Sequence, residues 1–125
     1  MDKILKRLES LHPKIIDLKL DRVKRLLRKL GNPERSLPPI IHVAGTNGKG
    51  STIAMIKAGL EKSGLRAHVY TSPHLVSFNE RIEIGGKRIS EDSLKKILTE
   101  CENANKSKPI TFFEITTCAA FLAFS

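Results

Sequence analysis

The chain has no tryptophan and a single tyrosine, Tyr70, so the aromatic platforms on which proteins stack single-stranded nucleic acid have little to be built from. Its two cysteines, Cys101 and Cys118, lack the paired spacing of a metal site, and nothing marks an oxidising compartment. Both read as structural thiols. No apolar run approaches the roughly 20 residues that a membrane-spanning helix needs. The opening MDKILKRLES is charged and amphipathic, without the apolar centre or small-residue cleavage site of a secretory signal, and a cytoplasmic location is the expectation. Internal repeats and low-complexity tracts are also missing.

Acidic residues are scarce: 13 Asp and Glu face 22 Lys and Arg, for a net charge of +9 and a pI near 9.8. Such a balance favours anionic partners, whether nucleotides, nucleic acid or a polyanionic substrate. The densest basic segment, DRVKRLLRKL, interleaves its charges with leucines at helical spacing and reads as the solvated face of a helix. A nucleic-acid-binding protein is the reading that charge alone would support, and no recognisable motif accompanies it. With 125 residues, 40% hydrophobic and 28% charged, the chain suits one globular domain, able to bury a core yet small for an enzyme of two substrates.

Helical periodicity marks residues near 2–10 and 17–30, the second with Asp17 as N-cap and Gly31 as stop. GNPERSLPP then breaks the chain and leads into IIHVA, an apolar β-branched run that predicts a buried strand. Residues 51–63 follow as a helix and RAHVYT as a second strand. The order strand, loop, helix, strand predicts a right-handed parallel crossover, the start of an α/β parallel sheet with flanking helices. RIEIGGKRIS alternates about Gly85 and Gly86 as a hairpin does. Ser90, with Glu91 and Asp92 behind it, caps a helix to about Ala104, and TFFEITTCAAFLAFS has helical spacing.

Between strand and helix lies GTNGKGST, with glycines at 45, 48 and 50. Consecutive N–H groups of such a loop converge on one concavity, and the following helix adds its positive end. An anion fits there. Lys49 supplies a full charge able to reach the β- and γ-phosphates of a nucleotide, and Ser51 or Thr52 a hydroxyl for phosphate or Mg²⁺. The common pattern G-x-x-x-x-G-K-[ST] is not met, because Val43 stands at its first glycine and Gly50 follows the lysine. The shorter G-x-x-G-K-G-S between strand and helix still favours a P-loop-type nucleotide site over a ligand-free turn.

HVAGTNGKGS resembles the nucleotide loop of the folylpolyglutamate synthase and dihydrofolate synthase family, in the Mur ligase superfamily. LHPKIIDLKLDRV before it, YTSPHLVSFNERI after it and TFFEITT near the end resemble the same family in the same order. The resemblance covers almost the whole chain as the N-terminal part of a Mur-ligase-like ATP-binding domain. It divides into a helical lead-in over 1–37 and a nucleotide-binding α/β unit over 38–125, with no counterpart of the family's C-terminal domain. It implies an ATP- and Mg²⁺-dependent ligase that adds L-glutamate to dihydropteroate or to folates through an acyl phosphate, monomeric as the full-length enzyme, and inactive as this segment alone. It places ATP at Asn47, Gly48, Lys49, Gly50, Ser51 and Thr52, Mg²⁺ at Ser72 and Ser51, and catalytic charge neutralisation at Lys49. For the pterin-bearing substrate it implies two places: DLKL, with Asp17, Leu18 and Leu20, where the family more often has glycine at the position of Lys19; and TFFE, with Thr111, Phe112, Phe113 and Glu114. Ser72 taken alone is a turn starter before Pro73, and His74 is given no role. The alternative from another class is a non-catalytic nucleotide-binding module.

Overall fold

The computed structural model describes residues 1–12, 19–74 and 76–125. Among these residues five α-helices and three short strands run in the order α1 (Asp2–Glu9), α2 (Asp21–Lys29), α3 (Lys49–Lys62), β1 (Val69–Tyr70), β2 (Ile82–Ile84), β3 (Lys87–Arg88), α4 (Glu91–Asn105) and α5 (Phe112–Phe124). They form two compact units, one of Met1–Pro38 with Ile89–Ser125, the other of Pro39–Arg88.

The first unit is helical. Leu94, Leu98 and Cys101 recur on one face of α4 and are buried, as are Ile4 and Leu8 of α1 and Leu26 and Leu27 of α2. In α5 the burial runs nearly all round, through Ile115, Thr116, Cys118, Ala119 and Ala120, which makes this helix the centre about which the others pack. Its small residues allow close approach of the neighbouring helices. Ser90 Oγ accepts from the Ser93 N–H at 3.2 Å and caps α4 as its sequence predicts. The helix predicted from residue 17 begins only at Asp21, with Leu20 as its N-cap, and the expected Asp17 cap lies outside the described residues. Gly31 ends this helix at a φ of 86°, a left-handed conformation that costs glycine nothing.

In the second unit β1, β2 and β3 form a three-stranded antiparallel sheet. Val69 pairs with Glu83 and Tyr70 with Ile82, then Glu83 with Arg88 and Ile84 with Lys87 across a two-residue turn. That turn is Gly85–Gly86, both at positive φ as a type I′ hairpin requires. The expected parallel sheet is not formed among the described residues, and IIHVA is not a strand. The reason is physical. A strand exists through ladder hydrogen bonds to a neighbour, the only described sheet is β1–β2–β3, and Ile40 and Ile41 stand 68% and 62% exposed. α3 likewise buries no residue. Lys57 Nζ binds Glu83 Oε1 at 2.5 Å and so ties α3 to β2.

Candidate functional site

The helix expected from Ser51 begins two residues earlier, at Lys49. Gly48 adopts φ 75°, ψ 8° and serves as N-cap of α3, whose first turn is Lys49, Gly50, Ser51 and Thr52. The Thr52 N–H closes the first helical bond on the Gly48 carbonyl at 3.0 Å. The N–H groups before it have no carbonyl to reach within the helix. No side chain caps this end, and its first turn carries no acidic residue. Those donors, the positive end of the helix and Lys49 thus share one exposed edge. Gly50 is the informative position. Its φ is not in the left-handed region and an added Cβ would meet nothing within 4 Å, so neither backbone nor internal packing requires glycine.

Ser72 belongs to the same unit. It follows β1 and precedes Pro73 through a cis peptide bond, with its side chain exposed. The segment after it is fastened locally. The Glu80 carboxylate accepts from the Val76 and Ser77 N–H groups at 3.0 and 2.8 Å, Ser77 pairs with Asn79, and Arg81 Nε donates to His74 Nδ1 at 2.9 Å. Phe78 is buried beneath them, with the Arg81 guanidinium 4.9 Å from its ring centroid. His74 therefore serves to hold this loop. Among the described residues no group of three or more His, Cys, Asp or Glu could hold a metal ion. The donors at hand, the exposed Ser51 and Ser72 hydroxyls, are hard neutral oxygens. They fit a Mg²⁺ that keeps waters and draws other ligands from phosphate.

Of the residues expected at the pterin, Leu20 and 111–114 belong to the helical unit. Asp17 and Leu18 lie outside the described residues, and Leu20 is 65% exposed at the start of α2. TFFE opens α5. Thr111 Oγ1 accepts from the Glu114 N–H at 3.2 Å, and Glu114 Oε1 accepts from the Thr111 N–H at 2.9 Å, a reciprocal capping box. Phe113 is 44% exposed beside this cap.

Arg22, expected on a solvated helix face, instead meets Glu114. Its Nε donates to Glu114 Oε1 at 2.8 Å and its Nη2 to Glu114 Oε2 at 3.0 Å, a bidentate pair largely shielded from water. Burial alone would raise the Glu114 carboxyl, but the hydrogen bonds from Arg22 and Thr111 and the guanidinium charge outweigh it and hold the group below the usual carboxylate range. Arg25, one turn along, donates to Asn105 Oδ1 at 2.8 Å. The available signal was spacing: Arg22 and Arg25 flank the stripe of Leu26 and Leu27, where a long side chain reaches a neighbouring helix.

No family model matches the chain. Among curated proteins it is 40% identical over 113 residues to a dihydrofolate synthase/folylpolyglutamate synthase of Bacillus subtilis, covering 85% of this chain and 26% of that protein. The corresponding protein of Escherichia coli is 38% identical over 120 residues, covering 96% and 28%. Among solved structures, E. coli FolC in complex with DHPP and ADP superposes with a TM-score of 0.90 at 37% identity, covering 98% of this chain and 30% of that one. A bifunctional folylpolyglutamate synthase/dihydrofolate synthase of Yersinia pestis, complexed with AMPPNP and Mn ion, gives 0.87 at 38% identity. The chain spans little more than a quarter of the length of these curated relatives.

Proposed function

We propose that this chain, which is related to the N-terminal part of the folylpolyglutamate/dihydrofolate synthases, supplies the phosphate-binding segment of an ATP-dependent ligase that adds L-glutamate to dihydropteroate or to folates. The observation that carries the reading is the uncapped start of α3, with Gly50 open to close approach and Lys49 beside it. Phosphoryl transfer asks a protein for positioning and charge neutralisation more than for covalent help. Gly48, Lys49, Gly50 and Ser51 would hold the ATP phosphates through backbone N–H groups, and Asn47 and Thr52 flank them. The Lys49 ammonium neutralises charge on the transferring phosphoryl group as it moves to the substrate carboxylate. ADP leaves as the acyl phosphate forms, and attack by the glutamate amine then makes the amide and releases phosphate. Ser51 and Ser72 would hold Mg²⁺, which when bound shields the phosphate charges.

The finer parts of the reading rest on the same kinship. In the complete protein, residues 40–44 become a strand of a parallel, P-loop-type sheet in a Mur-ligase-like ATPase domain, which would cover Ile40 and Ile41. The enzyme works as a cytoplasmic monomer without nucleic-acid or membrane partners, and the 125 residues alone do not catalyse ligation. No helix among the described residues is long and apolar enough to cross a membrane.

The test is ADP release by the complete protein in which these residues occur, supplied with Mg·ATP, L-glutamate and either dihydropteroate or a folate. Release that requires all three substrates is the expected result. ATP binding without substrate-dependent release would instead mark a nucleotide-binding module that is no ligase.

A further inference from the structure

We infer that Arg22 and Glu114 form a positioning clamp for the substrate-recognition edge of the helical unit, and that Glu114 acts through this clamp rather than by touching the substrate. The inference rests on the ligase reading above and concerns the part of the site that takes the flat heterocycle. Both Glu114 oxygens are already engaged: Oε1 accepts from Arg22 Nε and the Thr111 N–H, Oε2 from Arg22 Nη2. The residue is only 5% exposed, so a ligand would have to displace a guanidinium to reach it. What the pair does hold in place is exposed. Leu20 stands two residues before Arg22 at 65% exposure, and Phe113 stands immediately before Glu114 at 44%.

A single carboxylate therefore fixes the first turn of α5 through the Thr111 cap and locks that turn to the first turn of α2. The two apolar side chains that it carries along, an aliphatic and an aromatic one, suit the faces of a fused heterocycle. Their relative position depends on two parallel N–H···O bonds, which fix orientation as well as distance. A guanidinium is needed for that geometry, and a lysine would keep the charge but lose the fork.

The experiment measures KM and kcat of the complete protein for the pterin-bearing substrate and for ATP, in Arg22→Gln, Arg22→Lys, Glu114→Gln and the Arg22→Gln/Glu114→Gln double variant. Arg28→Gln, an exposed position on α2, is the control. The clamp predicts a rise in KM for the pterin substrate of at least about tenfold in Arg22→Gln, with kcat within about threefold and KM for ATP within about twofold. Arg22→Lys should fall between it and the wild type, and the double variant should be no worse than the more affected single one, because both remove the same contact. If Arg22→Gln does not fold, Arg22→Lys decides, since it keeps the charge. An unchanged pterin KM in the Arg22 variants, with only thermal stability reduced, overturns the clamp and leaves an ordinary structural ion pair. Glu114→Gln weakened while Arg22→Gln is not overturns it in favour of direct contact. A wild type that neither binds nor turns over either pterin substrate overturns the ligase reading, and the clamp with it.

Discussion

Gly48 and Gly50 stand two positions apart and differ in what their backbone requires. At a φ of 75°, Gly48→Ala places a side chain in the left-handed region and should destabilise the protein by about 1 kcal/mol. Gly50 is helical with open space around it, so Gly50→Ala should leave stability unchanged or raise it by up to about 1 kcal/mol through better helix propensity. If this edge holds phosphate as proposed, the same substitution should weaken ATP binding at least about tenfold, because its methyl group would obstruct close approach. Thermal melting and an ATP titration of the two variants give both numbers. A Gly50→Ala protein that is destabilised but binds ATP normally would show that this glycine serves the fold. At this scale the turn into α3 was legible in the sequence, because a glycine such as Gly48 carries its backbone freedom in its identity. Arg22 was not, since an arginine on an amphipathic helix reads the same whether it meets water or a carboxylate on a helix 92 positions away.

Elements divide by where their stabilising bonds lie. α4 was legible through Ser90, its local cap, and the β2–β3 hairpin through Gly85 and Gly86, since both signals sit within a few residues of what they build. TFFE carries a local signal of the same kind, since its Thr-x-x-Glu is the capping-box pattern that starts α5. IIHVA is the contrary case, since its β-branched composition states a preference that only a paired neighbour could satisfy. The α2–α5 junction carries a pH dependence of definite sign. Because the Glu114 carboxyl titrates below its usual range, its contribution is present above the unfolded value of about 4.3 and is lost as pH falls through the folded one. At pH 7, Glu114→Gln should cost on the order of 1–3 kcal/mol, the range for hydrogen bonds to a charged, shielded group. Below about pH 4 the melting temperatures of variant and wild type should converge. A gap that persists undiminished at pH 3 would show that the carboxylate charge contributes little there.

At the scale of the molecule, the residues expected at the nucleotide and the described ones expected at the pterin, Leu20 and 111–114, fall in different compact units, 39–88 for the former and the helical unit for the latter. The sequence could order these segments along the chain but could not say which would pack together, because the helical unit joins the two ends of the chain across 50 intervening residues. The relatives, more than three times as long as the region they share with this chain, carry both segments in single polypeptides. The central claim is that the loop at 45–52 holds the phosphate being transferred, and turnover of Lys49→Ala in the complete protein tests it most directly. ADP release with all substrates present should fall by at least about a hundredfold, some 2.7 kcal/mol in barrier height, with the melting temperature unchanged, while Lys62→Ala at the far end of α3 stays within twofold of wild type. A Lys49→Ala protein that retains activity within about tenfold of wild type, roughly 1.4 kcal/mol, would contradict the account.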